Sequence, residues 1–213
     1  MPASARSYAR SPRPRAEPAP ARAARRKART RERLLDAALA VFLARGYDGA
    51  TTTEMARVAD LGAGTFYCHF RDKRAAFDGV AHRASRTMMA RWEDALVPGA
   101  RLRDAVTLAL EITAAFWREH PERARLLLEG GPSFGNSAHL RLVDDLAGTL
   151  RARFAVARSR RLRPTRGQAL AAFVAGLGIE IGRVVIDARP RVARAIVADM
   201  IVLARHAADA AER

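Results

Sequence analysis

Thirteen residues, Leu61 to Lys73 (LGAGTFYCHFRDK), gather two glycines, three aromatics, the only cysteine of the chain and a histidine. Three chemistries could use such a set. Gly62 and Gly64 could open a phosphate-cradling loop, Cys68 and His69 could bind a metal, and Cys68 could be a redox thiol. The dinucleotide fingerprint needs a strand before its glycines; the preceding GATTTEMARVAD instead reads as a helix, with Thr51 and Glu54 spaced as a capping box. Adjacent residues on a helix point about 100° apart, and no second pair stands at metal-ligand spacing, so no metal site is expected. A redox thiol needs exposure and a depressed pKa, neither legible in sequence, and Cys68 reads as a small surface residue. With no acid–base pair, nucleophile constellation or phosphate loop anywhere, the chain is not read as an enzyme, and no cofactor is expected. What remains is a helix whose first turn lacks bulky side chains, so that its backbone can approach a groove, followed by Thr65, Tyr67, His69 and Lys73 as hydrogen-bond donors.

The elements around this stretch must hold it in place. From Arg29 the spacing becomes helical, with Leu34, Leu35, Ala38, Leu39 and Phe42 on one face and Gly46 placed to end the helix. A short second helix starts at Thr51 and ends near Asp60, with Met55, Val58 and Ala59 expected inward. After the turn of Asp60, Leu61 and Gly62, a third helix runs from about Ala63 to Phe70. Phe66 and Phe70, four apart, face inward and leave Ala63, Thr65, Tyr67, Cys68 and His69 at or near the surface. Asp72 can cap a longer fourth helix that starts at Lys73. Two short helices joined by a tight turn and braced by a longer one make a helix-turn-helix.

Charge points to the partner. The chain of 213 residues carries a net charge of +16 with a pI near 11.5, which favours a polyanion, nucleic acid before an anionic membrane. Residues 1 to 29 hold nine basic side chains against one acid, Glu17, whereas Thr30 to His82 hold seven of each sign. The first residues, rich in Ala, Pro, Arg and Ser, lack the apolar surface to offset the entropy of ordering, and residues 1–28 read as a disordered tail. Its charge is either a solvated run or a basic arm that adds sequence-independent affinity for DNA phosphates. An Arg-rich leader also suits an organelle transit peptide, but Pro12, Pro14, Pro18 and Pro20 interrupt the amphipathic helix such a leader needs. One cysteine excludes an internal disulfide and fits a reducing cytoplasm. No uninterrupted apolar run approaches the roughly 18 to 20 residues of a membrane span, so a soluble cytoplasmic protein without a membrane partner is expected.

Arg31 to about Val80 resemble the N-terminal DNA-binding domain of the TetR family of transcriptional regulators, through LLDAALAVFLARGYDGATTTEMA and GTFYCHFRDKRAAFDGV. The resemblance implies that Thr51 and Thr52 meet phosphate, that Thr53 reaches a base edge, and that Gly62, Ala63, Gly64 and Thr65 lie nearest the bases. Tyr67, His69 and Lys73 would clamp the DNA backbone. Asp60 stands where the family usually has glycine, at modest cost because Asp tolerates the left-handed conformation. Gly62 and Ala63 stand where polar side chains are common, so base readout must lean on Thr53, Thr65, Cys68, His69, thymine methyls or DNA shape.

The rest of the chain reads as helices over about 73–95, 101–119, 122–130, 138–159, 166–188 and 190–210, giving an all-α protein. The expected divisions are the tail at 1–28, the helix-turn-helix domain at 29–80 and a helical ligand-binding and dimerisation domain at 81–213. Ala172, Gly176 and Gly182, with Gly178, form a small-residue face that lets a partner helix come close. Val192, Ile196, Met200 and Leu203 recur at spacings of three to four on the last helix. By the resemblance, these two helices make a four-helix homodimer interface, and the dimer reads a palindromic double-stranded DNA operator. The resemblance also implies an apolar inducer site for an unknown small molecule, with Trp92, Phe116, Trp117, Phe173 and Leu177 as lining candidates and His120, Asp145 and Glu180 as polar ones. Seven arginines without an acid between Arg151 and Arg166 read as a solvated helix end. The sequence thus supports a ligand-responsive repressor, with a DNA-compacting protein that lacks sequence preference as the alternative.

Overall fold

The computed structural model describes residues 19–96, 100–128, 144, 147–152 and 162–213. Among these residues the fold is all-α. The helices are α1 (Ala19–Gly49), α2 (Thr52–Val58), α3 (Ala63–Tyr67), α4 (Lys73–Ala95), α5 (Leu102–Glu119), α6 (Pro121–Leu128), α7 (Pro164–Asp187) and α8 (Pro190–Ala211). Residues 144 and 147–152 are helical within the helix expected over 138–159; Asp145 and most of the Arg151–Arg166 stretch lie outside the described residues.

α1 begins ten residues before the predicted start, so the upper part of the expected tail is helical. Ala21, Ala23, Ala24 and Ala28, interleaved with Arg and Lys, are among the strongest helix formers, and Pro20 sits in the first turn, where its missing N–H costs nothing. Gly46 interrupts the helix as expected: its backbone takes φ 67°, ψ 178°, and a last turn then runs to Gly49. That conformation is open essentially to glycine alone.

The N-terminal helices pack around Leu34, Leu35, Phe42, Met55, Phe66, Phe70 and Phe77, with Phe42 and Tyr47 stacked and Phe77 edge-on to both. In α2 the inward residues are Met55, Ala56 and Ala59, whereas Val58, expected inward, is exposed. A seven-residue helix turns only about twice, so burying 55, 56 and 59 places 58 on the outer side. α4 is continuous across the expected boundary at 80 and 81. Asp72 caps it, accepting from the Ala75 N–H at 2.7 Å, and near its far end Trp92 donates its indole N–H to the Ala109 carbonyl at 3.1 Å.

In the C-terminal body α5 packs against α7 and α8, which also pack on each other, while α6 lies on α7 and touches α1. One glycine of α7, Gly182, makes room for a large side chain. Trp117 donates to the Gly178 carbonyl at 2.9 Å, and a Cβ on Gly182 would stand 3.1 Å from the indole nitrogen and 2.5 Å from Leu128 Cδ1. Gly182 therefore serves the core of the chain's own C-terminal body rather than the outer face assigned to it from sequence. α7 is also long and apolar enough to cross a membrane by length and composition. A search for uninterrupted runs misses it because Gln168, Glu180 and Arg183 fall within it, but Leu170, Ala171, Val174, Ala175, Ile179 and Ile181 are buried, as in the core helix of a globular body.

Candidate nucleic-acid interface

The helix-turn-helix is built by caps and long-range clasps. Thr51 Oγ1 accepts from the Glu54 N–H at 3.1 Å and starts α2. Glu54 is oriented by Arg45 and Arg57, at 3.6 and 4.0 Å. At the other end, the Leu61 N–H bonds the Ala56 carbonyl at 2.9 Å and the Asp60 N–H bonds Arg57 at 3.0 Å. These are the paired bonds of a Schellman motif, which requires a left-handed residue just past the helix, usually glycine. Asp60 supplies it with φ 52°, as its place in the turn predicted. Arg33, across 26 residues of sequence, donates to the Ala59 carbonyl at 2.6 Å and lies 3.9 Å from the Asp60 carboxylate. Sequence reading missed Arg33, because nothing local ties a residue of α1 to that turn.

α3 is held from beneath by Phe66 and Phe70, both buried with ring centres 5.5 Å apart. Its outer surface is bare at the start. Gly62, Ala63 and Gly64 are exposed, a Cβ on either glycine would meet nothing within 4 Å, and Gly62 caps the helix without a side-chain bond. Thr65 is half-buried, and Cys68 is exposed with its thiol directed at the Gly64 carbonyl, 3.4 Å away. Tyr67 is 58% exposed, and its hydroxyl stands 3.0 Å from Thr52 Oγ1. That bond links α2 to α3 and sets the two hydroxyls side by side beside exposed Thr51 and Thr53. Thr51, Thr52, Thr53 and Tyr67 thus form a polar group on one side of the bare helix start, with Thr65 and Cys68 on another side of α3; hydroxyls so placed can meet phosphate oxygens and base edges.

His69 and Lys73 are more constrained. His69 is half-buried and its Nδ1 is enclosed without a hydrogen-bond partner among the described residues. Burial, and then the nearby charges of Lys27 and Arg31, hold its pKa below the usual histidine value and favour the neutral imidazole. Lys73 lies 4.6 Å from the Tyr47 ring centre and donates to the Tyr47 and Asp48 carbonyls at 2.8 and 3.1 Å. It ties the start of α4 to the end of α1 and keeps one of its three N–H donors for a further partner.

The residues expected to line a ligand site divide into two groups. Trp92, Phe116 and Trp117 are buried and packed, both indoles already donating to backbone carbonyls. His120, at the end of α5, lies edge-on to Phe116 at 5.1 Å. Phe173 and Glu180 are exposed on α7, Glu180 paired with Arg183 at 3.9 Å, and partly buried Leu177 lies between them. These three share the outer face of α7 with exposed Ala172 and Gly176, away from the tryptophans. On α8, Val192, Ile196 and Leu203 are exposed and Met200 is partly buried at their edge.

Comparison with known proteins agrees with this architecture. Residues 34–80 match the family of bacterial regulatory proteins, tetR family. A segment of 57 residues is 46% identical to the HTH-type transcriptional repressor BepR of Brucella suis biovar 1 (strain 1330), covering 27% of each chain. A segment of 51 residues is 43% identical to the HTH-type transcriptional regulator SrpR of Pseudomonas putida, covering 24% of each. The match thus spans about a quarter of the length of these curated relatives. The fold extends further. A tetR-family transcriptional regulator from Streptomyces coelicolor superposes with a TM-score of 0.62 at 20% identity, covering 87% of both chains. The fatty acid degradation regulator FadR from Bacillus halodurans gives 0.59 at 13%, covering 85% of this chain and 93% of that one. Residues 34–80 thus match the DNA-binding domain of tetR-family regulators in sequence, and the helices beyond them share the fold of solved tetR-family regulators.

Proposed function

We propose that this protein is a homodimeric transcriptional regulator, acting in the cytoplasm as a repressor that a small molecule releases from a palindromic operator. The observation that carries the reading is the bare, exposed α3 start beside the paired hydroxyls of Thr52 and Tyr67, with Thr51 and Thr53 exposed next to them. A groove-entering helix needs close backbone approach at its leading end and donors along its flanks. The family match and the repressor function named for the Brucella suis relative support the same direction. Dimerisation would use the outer faces of α7 and α8, where Ala172, Gly176, Val192, Ile196 and Leu203 are exposed. Two α3 helices would then enter successive major grooves, about 34 to 36 Å apart.

Ligand control is supported by the course of α4. It starts at Lys73, tied to α1, and ends among the aromatic residues of the body at Trp92. A molecule bound in the body that shifts α4 changes the separation of the two α3 helices, and this is allosteric if ligand and DNA prefer different separations. Phe116, Trp117 and His120 are the described residues best placed to feel such a ligand.

Selection of sites by the purified full chain from randomised DNA tests the reading. The expected result is one palindromic sequence with half-sites a helical turn apart, and binding that weakens when a cognate small molecule is added. Uniform recovery of all sequences would sink it in favour of a compacting protein.

A further inference from the structure

The helix-turn-helix domain is electrically balanced, with seven basic and seven acidic residues from Thr30 to His82. A protein gains sequence-independent affinity for DNA by neutralising phosphates with Lys and Arg, so this domain needs cations from elsewhere. The N-terminal end of α1 holds them. Between Arg22 and Arg29 there are five cations, Arg22, Arg25, Arg26, Lys27 and Arg29, and no acid, all exposed on one continuous helix.

Their arrangement is ordered. At 100° per residue, Arg22, Arg25, Arg26 and Arg29 fall within one stripe, and Arg33 continues it. Arg33 is the residue that clasps the turn between α2 and α3. Lys27 and Arg31 lie on the opposite side of the helix from that stripe, toward the end of the helix-turn-helix: the Arg31 guanidinium stacks over Phe70 at 5.0 Å, and both charges are felt at His69. Arg31 and Arg33 therefore fix the direction in which the preceding turns project. From residue 22 to residue 29 the axis advances about 10 Å, which matches about three phosphates at 3.4 Å of axis per strand.

We propose that residues 22–29 of α1 form a rigid basic arm that binds the DNA phosphate backbone flanking the sequence contacted by α3. The proposal rests on the operator-binding reading above and adds a second, sequence-independent contact to it. The arm supplies affinity and α3 supplies choice.

The test is the salt dependence of binding by the full chain, using the selected operator and an unrelated duplex. The variant R22Q/R25Q/R26Q/R29Q keeps good helix formers and removes four charges. It is expected to flatten the plot of log Kobs against log salt by about 0.9 for each phosphate that the arm no longer neutralises, on both duplexes, while leaving the ratio between them unchanged. An unchanged slope overturns the proposal, as does loss of binding to phosphatidylglycerol vesicles without any change on DNA. A second variant, Ala28→Pro, keeps every charge but breaks the helix between arm and domain. It is expected to flatten the slope as well; a full slope with Ala28→Pro overturns the rigid geometry. If the wild-type chain prefers no sequence, the operator reading fails, while the slope difference on the unrelated duplex still decides the arm.

Discussion

Asp60 is a non-glycine residue at positive φ, held there by the paired bonds that end α2. Asp60→Gly removes the left-handed penalty of about 1 kcal/mol and should raise the melting temperature, provided the long contact to Arg33 is worth less, as exposed ion pairs usually are. Asp60→Val should lower it, because a β-branched side chain is a genuine outlier at positive φ. Thermal denaturation followed by circular dichroism separates the two; equal effects would mean that the turn reshapes. His69 gives a pH signature. Its folded pKa lies below the ordinary value of 6.5, so the unfolded chain binds the proton more readily. The contribution to stability is complete above the unfolded pKa and declines as pH falls from there toward the lower folded value. His69→Gln should therefore show a smaller loss of melting temperature between neutral and mildly acidic pH than the wild type. The caps at Thr51 and Asp72 and the left-handed Asp60 were legible in sequence because each acts within a few residues of itself. The clasps by Arg33 and Lys73 span 26 positions, and no local pattern encodes them.

Glycines on the helices sort by what stands in front of them. Gly176 opens onto empty space, and Gly182 faces Leu128 and Trp117 at contact distance or less. Gly176→Ala should gain up to about 1 kcal/mol from helix propensity, whereas Gly182→Ala should lose about 1 to 3 kcal/mol through overpacking, as read from chemical denaturation at concentrations low enough to avoid association. Gly46 is a third kind: no atom lies within 4 Å of where its Cβ would be, yet φ 67°, ψ 178° excludes side chains, so Gly46→Ala should cost about 1 to 3 kcal/mol with no clash at all. Periodicity placed α4, α5, α7 and α8 to within a residue or two because each carries a long apolar stripe. It misplaced Val58 because a helix of seven residues is too short for its stripe to be distinguished. It also began α1 late, since a run of alanine and arginine has the composition of a tail and the propensity of a helix. Sequence showed a small-residue face on α7 without showing that its glycines divide between inside and outside.

At the scale of the whole molecule, the exposed apolar residues of α8 are those that an isolated chain should not present to water. Leu203 is 65% exposed, and Val192 and Ile196 share its face. If this face is the seam of a dimer, Leu203→Glu should shift sedimentation toward the monomer and weaken operator binding at least tenfold without lowering monomer helicity, because the side chain it replaces is not packed in the protomer. A variant that stays dimeric would move the seam elsewhere. The candidate DNA surface was legible because its residues are neighbours in sequence. The candidate ligand site was not, because its residues come from several helices, and packing put Phe173 and Glu180 on the opposite side of α7 from Trp117.

The slot that Gly182 leaves for Trp117 has a practical consequence. The chain has two tryptophans, and both, Trp92 and Trp117, are buried with their indole N–H groups bonded to carbonyls of the C-terminal helices. Emission excited selectively at tryptophan therefore reports on the body, whereas the fluorophores of the helix-turn-helix domain are the tyrosines Tyr47 and Tyr67. A ligand entering beside α5 should alter the tryptophan emission directly, while melting of the helix-turn-helix alone should leave that emission unchanged and register as lost ellipticity and altered tyrosine emission. The molecule thus carries its tryptophan label on the half that would sense and only tyrosines on the half that would bind DNA.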